Sequence, residues 1–472
     1  MSWAKNKQVQ RLDLYQGVFS CSCNVIHIIH WRIPDSILTL SRSLKNEYMS
    51  ILDLALFLYS VMSGAGLFHL LREIRDMQES VRSLMFLVGA YYFLQGMSGN
   101  PGLHKQALKK FLTGEQGFGA GELAFFQNII MIPWMIKPLY GFIADTLPIR
   151  GYRIKSYFIL GSILAVCAYG AISLMPASLV SIGVLLCVAG VGVASSDVLC
   201  DKLMVIKGQK WQAVDLFQAS QWCAISIAGV IVLFFGGYIA QYISLPNAAL
   251  LSLLFVIPVI PLTLFGWKED RVVSVGDAAQ RAWLGFKSAC MSQQLWGCAV
   301  FLFFFNLSQQ FESAFFVYRE KELGLSQIAI GHIDTVGQFG YTLGTVLFFF
   351  MCRKFSREAI LKGIVLTAVG TTLAYAFVDS QWSAFVIVFC TSFVGIIASL
   401  GPLNLAAEAC PKDAEGTVFA LLMSLINISR SLSDYLGGLL YDRFGFLWLI
   451  VIFSFLAAIS WFFLPLVREK KS

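Results

Sequence analysis

Lys137, Asp197, Arg430 and Asp434 are ionisable side chains set within long apolar stretches of a 472-residue chain. Near the centre of a membrane helix such a group costs about 2.5–3.5 kcal/mol on insertion scales, so each asks for a partner or a task. Charge pairing and capture of a charged solute are the chemistry these types offer. Lys137 precedes Asp145 by eight residues, which along a helix is roughly 12 Å. Pro133 and Pro138 bracket it, and each removes a helical hydrogen bond and permits a kink. Lys137 reads either as a cation facing a cavity or as a structural lysine that snorkels or pairs with a carboxylate on a neighbouring helix. Asp197 and Asp201 are four residues apart and share one helix face. Arg430 and Asp434 have the same spacing. They read as a mutual ion pair, or Arg430 offers its planar fork to a carboxylate.

These residues need helices to hold them, and composition says which kind. The chain is 57% hydrophobic and 13% charged, against about 25% charged in soluble domains. Such a chain is an integral, multi-pass membrane protein whose first partner is the lipid bilayer. Its net charge of +7 then reflects loops that stay on one side, not nucleic-acid binding. A span needs about 20 mainly apolar residues. Twelve are predicted, at 82–100, 121–144, 156–175, 179–201, 213–242, 246–266, 293–317, 328–351, 359–378, 382–407, 416–441 and 446–466. With the start of the first span cytosolic, the cytosolic loops and tail hold 18 Lys or Arg. The opposite side holds 6: Lys105, Lys109, Lys110, Arg319, Lys321 and Arg443. That is the bias of positive-inside insertion, and it places both ends of the core in the cytosol. Residues 1–81 form an extension, cytosolic or interfacial, with an apolar stretch at 53–71 that reads as an interfacial helix or an extra span.

The sequence also repeats. Phe118-Gly-Ala-Gly-Glu-Leu-Ala124 and Leu323-Gly-Leu-Ser-Gln-Ile-Ala329 precede the second and eighth spans, 205 residues apart. Gly236-Gly-Tyr-Ile-Ala-Gln241 and Gly437-Gly-Leu-Leu-Tyr-Asp442 close the fifth and eleventh, 201 apart. The chain thus divides into a six-helix bundle at 82–266, a charged loop at 267–292, a second bundle at 293–466 and a tail at 467–472. Two such halves are the plan of the major facilitator fold, with the solute site near the midplane between them.

Two blocks carry a narrower likeness. Pro133-Trp-Met-Ile-Lys137-Pro138-Leu-Tyr-Gly141-Phe-Ile-Ala-Asp145, with Arg150 and Arg153 after it, resembles the folate–biopterin transporter family. Cys410-Pro-Lys-Asp-Ala-Glu415-Gly-Thr-Val-Phe419-Ala-Leu-Leu-Met-Ser424 is similar to the same family's stretch at the start of its eleventh helix. The resemblance implies an all-α carrier of folates or reduced pteridines, proton-coupled or otherwise a secondary transporter. Two features depart from the family: Ile154 separates Arg153 from Lys155, and Lys202 and Lys207 follow Asp201.

On that reading Lys137 and Arg430 are candidates to meet substrate carboxylates. Gln95, Gln218 and Trp222 could bond to or stack on a pterin ring, or simply pack. Asp145 with Arg150 and Arg153 reads as a cytosolic gate latch or as a solvated loop cluster. Asp197 and Asp201 would pair with gate cations, and Glu408 would belong to the opposing gate. Glu312 or Asp334 could carry a coupled proton, or line a wet outer vestibule; Asp434 joins them as a coupling candidate. No metal or cofactor is implied. The 11 cysteines form no CxxC pair, and no HExxH, nucleotide loop or Ser/His/Asp arrangement speaks for an enzyme.

Overall fold

The computed structural model describes residues 78–99, 101–174, 178–269, 271, 293–354, 357–408 and 415–467. The stretch 53–71, most of the 267–292 loop, the tail and the start of the Cys410 block lie outside these residues. The chain divides into two compact units: Met1–Gly89 with Met204–Cys223, and Ala90–Leu203 with Ala224–Ser472. In the smaller unit Ser220 Oγ donates to the Met85 carbonyl at 2.9 Å. The larger unit holds most of the described helices.

The helices of the first half are α1 Glu79–Ser98, α2 Lys105–Lys110, α3 Ala120–Met135, α4 Lys137–Thr146, α5 Lys155–Leu174, α6 Leu179–Trp211, α7 Val214–Tyr242, α8 Leu245–Val256 and α9 Val259–Phe265. Those of the second are α10 Gln293–Asn306, α11 Glu312–Val317, α12 Gln327–Lys354, α13 Arg357–Ala374, α14 Gln381–Glu408, α15 Glu415–Phe444, α16 Phe446–Ile459 and α17 Leu464–Val467. Taken with their breaks, they follow the twelve predicted spans in order. Six segments are long and apolar enough to cross a membrane: Lys155–Leu174, Leu179–Trp211, Leu216–Tyr242, Leu245–Phe265, Ala359–Phe377 and Phe446–Val467. Of the rest, several are broken into half-helices, while α12 and α15 carry Asp334, Arg430 and Asp434 in their interiors. Large apolar side chains such as Leu174, Phe265, Phe377 and Phe462 stand exposed, as helices that face lipid require.

Three breaks position the site. α1 ends where Gly102, at φ +71°, returns its N–H to the Gly96 carbonyl, and Leu103 returns its own to Met97. α2 then starts a second half-helix, continued by a π turn at Phe111–Glu115. α10 and α11 repeat this plan, with a π turn at Tyr318–Glu322. Between α3 and α4 the chain kinks at Ile136, because Pro138 cannot donate inside a continuous helix.

These breaks correct the expected loops. Lys105, Lys109 and Lys110 are helical rather than in an outer loop, and Lys109 is buried. Arg319 and Lys321 likewise sit in the π turn after α11, with Arg319 2% exposed. The fourth span runs on to Trp211, so Asp197 and Asp201 lie well before its end, and Lys202, Lys207 and Lys210 are helical too. Charge conceals such a half-helix: Lys105–Lys110 carries three lysines in six residues and reads as a loop.

The repeat is visible in the backbone. Phe118 N–H bonds to the Leu112 carbonyl and Leu325 N–H to Arg319, and each pair surrounds a positive-φ glycine, Gly117 or Gly324. The register here is 207 residues (325 minus 118, 324 minus 117), two more than the sequence blocks suggest. The second repeat keeps its offset: Gly438 packs on Ala120 and Gly121, and Gly237 on Gln327 and Ile328, 201 residues apart. At this end one apolar cluster spans both halves, including Leu112, Leu123, Phe126, Phe311, Phe315 and Phe453. Helices in lipid associate through close packing of small residues. A Cβ on Gly438 would stand 2.5 Å from the Ala120 carbonyl oxygen, and backbone cannot step aside cheaply. Gly438→Ala should therefore cost about 1–3 kcal/mol, measured as a lowered melting temperature of the detergent-solubilised protein.

Candidate functional site

Two polar clusters occupy the interior, one within the first half and one between the halves. In the first, Asp197 on α6 is 5% exposed. Its Oδ2 takes Lys137 Nζ at 2.5 Å and its Oδ1 takes Gln95 Nε2 at 2.8 Å. One turn on, Asp201 Oδ1 accepts from the Tyr92 hydroxyl at 2.5 Å. The i, i+4 spacing of the aspartates and the i, i+3 spacing of Tyr92 and Gln95 put two faces in register. Lys137 Nζ also lies 4.5 Å from the centre of the Trp134 ring, across the kink that Pro138 makes. Of the two readings of Lys137, the structure displays the pairing to a carboxylate on a neighbouring helix.

The second cluster surrounds a cavity of about 340 Å³. Lys105, Gln127, Asn128 and Trp134 line it from the first half, and Glu312, Arg430 and Asp434 from the second. Glu312 joins the halves: its Oε1 lies 2.5 Å from Lys109 Nζ and 3.4 Å from Lys105 Nζ. Gln127 Nε2 donates to Ser313 Oγ at 2.9 Å, and that hydroxyl donates to Asp434 Oδ2 at 2.6 Å. The Ser313 N–H completes the hold on Asp434 at 2.9 Å. Asn128 Nδ2 reaches the Ser431 carbonyl at 2.7 Å.

Arg430 and Asp434 do not form the mutual ion pair that their spacing suggests. Arg430 Nε donates to Asn306 Oδ1 at 3.0 Å instead. Asn306 and Ser313 flank the break between α10 and α11, so they draw the two charges to separate anchors. Among the described residues Arg430 has no carboxylate partner. Asp334 does have a cation: Arg319 Nη1 lies 2.5 Å away, its guanidinium stacked 4.2 Å over the Phe315 ring.

The other candidates lie elsewhere. Trp222 is exposed and Gln218 half-buried, both in the smaller unit. The side chains of Asp145 and Glu408 fall outside the described residues. Arg150 is exposed at φ +54°. Arg153 lies just before α5, where Glu269 accepts from the backbone N–H of Arg153, Ile154 and Lys155 at 2.8–2.9 Å. Among the described residues no group of three His, Cys, Asp or Glu could hold a metal ion.

Sequence reasoning missed Lys105, Asn128, Trp134 and Glu269. Trp134 stands in the quoted block beside Lys137, and its place in the cavity follows from the kink. Asp442 stood in the quoted repeat without a role. Its carboxylate accepts from the N–H of Ala120 at 2.9 Å and of Gly121 at 2.7 Å, capping α3 across the two halves. Gln241, its counterpart, caps α12 by accepting from the Gln327 N–H at 3.2 Å.

Comparison with known proteins places this arrangement. The model of the BT1 family matches residues 95–470. A folate-biopterin transporter of Synechocystis sp. is 24% identical, the match covering 75% of this chain and 74% of that protein. Among solved structures, a variant of the nucleoside transporter NupG superposes with a TM-score of 0.66 at 12% identity, covering 82% of this chain and 100% of that one. A bacterial homolog of the human lysosomal transporter Spinster, inward-facing and unoccupied, gives 0.62 at 13% identity, covering 84% and 100%. The shared architecture is the all-α major facilitator fold.

Removing one partner of a buried ion pair leaves the other charge uncompensated, at about 3–5 kcal/mol. Lys137→Ala should approach the lower end of that range, since the lysine is partly exposed. Lys137→Ala combined with Asp197→Asn should cost less than the sum of the two single changes. A double-mutant cycle on thermal unfolding of the purified protein checks this; strict additivity would mean that the pair is not coupled.

Proposed function

The chain belongs to the BT1 family and is a transporter, and we propose that it carries folates or related reduced pteridines by alternating access, coupled to protons. The observation that carries this reading is the cavity shared by the two halves. It offers a flat aromatic surface in Trp134, the amides of Gln127 and Asn128, and the cations Lys105 and Arg430. A folate or pteridine is a planar heterocycle rich in donors and acceptors, and folate adds carboxylates. Such cavities fix orientation with a few convergent polar groups.

The loop charges make the end bearing Gly117, Gly324, Gly237 and Gly438 the outer one. There the halves meet through packed glycines and two helix caps. The state described is then closed to the outside. Rocking of the halves about the cavity would part this end and close the other. Glu312 is the natural coupling group, because its carboxylate bridges Lys105 and Lys109 of one half to α11 of the other. Parting of this end would take Glu312 away from Lys105 and Lys109 and let it accept a proton; closing would return it to them and release that proton. Lys137 and Asp197, tied within the first half, serve as a positioning pair that holds α4 and Trp134 against α6.

Proteoliposome uptake tests the reading. Labelled folate and biopterin should accumulate under an inward proton gradient, and accumulation should collapse when the gradient is dissipated. Glu312→Gln should abolish gradient-driven accumulation while leaving counterflow exchange. Failure to move either compound in correctly inserted protein would reassign the chain to another small solute; gradient-independent accumulation would remove proton coupling alone.

A further inference from the structure

An imidazole on the first-half wall of the cavity is held in place on several sides. His104 stands at the turn between α1 and α2 and lines the cavity. The ring leans on Tyr169 with centroids 5.2 Å apart, and the Tyr169 hydroxyl is itself tied to the Ser98 carbonyl at 2.7 Å. Its Cε1 lies over Gly102, where a Cβ would stand 3.1 Å from that atom. Its Nδ1 lies 3.0 Å from Ser252 Oγ on α8. Among the described residues no protein atom bonds to Nε2. Unlike His332 Nε2, it is not a sealed atom without a partner, so the cavity reaches it.

Ser252 decides which nitrogen carries the proton. It is fully buried, and among the described residues its hydroxyl has His104 alone for a partner. It does not bond back to the carbonyl four residues earlier, as Ser98, Ser162 and Thr263 do. A buried hydroxyl left without an acceptor is costly, so its proton goes to the Nδ1 lone pair. The bond made at one ring nitrogen sets the state of the other, and a neutral ring that accepts at Nδ1 carries its own proton at Nε2. The cavity thereby gains an N–H donor. Resting on the pteridine reading above, we infer that His104, held in its Nε2–H tautomer by Ser252, is a substrate-binding residue that donates to a lone-pair acceptor of the solute. An oxo group or ring nitrogen of a pteridine is such an acceptor, and so is a carboxylate on the glutamate of folate. His104 touches the solute; Ser252 positions it.

Two substitutions separate the nitrogens. Glutamine carries its amide nitrogen close to the place of Nε2, and asparagine carries its own close to that of Nδ1. His104→Gln should therefore keep folate and biopterin affinity within about threefold. His104→Asn keeps a partner for Ser252 and loses the cavity donor. It should weaken binding about threefold to tenfold where the acceptor is uncharged, and about tenfold to a hundredfold where it is a carboxylate. Binding is read on the purified full-length protein by quenching of tryptophan fluorescence, with thermal unfolding to show that each variant is folded. Loss for both solutes places the acceptor on the pterin ring; loss for folate alone places it on the glutamate. The nitrogen-15 spectrum of the unaltered protein reads the tautomer without any substitution. His104 should show a protonated Nε2 and a bare Nδ1, and the Nε2 signal should move when folate or biopterin is added. Its signals are assigned by their absence from either variant, or by elimination against the other four of the five histidines. A protonated Nδ1, unchanged affinity in His104→Asn, or equal loss in both variants overturns the assignment. Failure of the unaltered protein to bind either solute overturns the donation together with the pteridine reading, while the spectrum still judges the tautomer.

Discussion

A backbone N–H at a helix terminus inside a membrane has no water to turn to, and its acceptor has to be protein. At the start of α3 the acceptor is a carboxylate from the other half: Asp442 takes the N–H groups of Ala120 and Gly121 together. Its charge also opposes the positive end of the helix. At the start of α12 the mirror-related Gln241 does the same with a neutral amide. Both acceptors end helices whose paired glycines let the backbones approach. The helix that gives the cap is thus the helix that packs, and separation of the halves at this end exposes orphan donors at once. The cavity exists because the halves are fastened at one end by such bonds.

The breaks that shape the cavity follow from the same constraint. A half-helix in a membrane creates more termini, so breaks are tolerated only where neighbours or side chains absorb them. Gly102 turns the end of α1 back on its own carbonyls. Between α10 and α11, Asn306 and Ser313 flank the gap, and Gln310 N–H finds Ser433 Oγ at 3.1 Å. Asp434 takes the Ser313 N–H near the start of α11 and Asn306 at the end of α10 takes Arg430, so the residues flanking the gap also draw these two charges to separate anchors. Structural repair of the backbone and placement of the cavity-lining charges are one network.

Much of this was legible in the sequence, and what was not shares a cause. The order of the described helices followed from hydropathy, and the blocks at Gly236 and Gly437 keep their offset of 201 residues in the packing of Gly237 and Gly438. The resemblance read from the Pro133 and Cys410 blocks agrees with the family match over residues 95–470. Partner identity was another matter. Arg430 and Asp434 at i, i+4 look like an ion pair in one dimension, but their partners come from the broken segment of another helix. Lys105 and Lys109 look like loop charges because the break at 99–104 resembles the end of a span. A carboxylate such as Glu312 that serves two lysines 203 and 207 positions earlier leaves no local trace.

The distribution of charge explains why the interior can hold so many ionisable groups without losing the fold. Asp197 has Lys137 and Gln95, Glu312 has two lysines, and Asp334 has a stacked arginine. Each of these pairings neutralises a carboxylate with a cation. Asp434 is held by an N–H and a hydroxyl alone, and Arg430 by an amide oxygen alone. With Asp197, Glu312 and Asp334 paired in this way, Asp434 and Arg430 stand at the cavity wall held by neutral partners. Neutral partners stabilise a buried charge less than an opposite charge does, so these two are the least compensated of the charges that line the cavity.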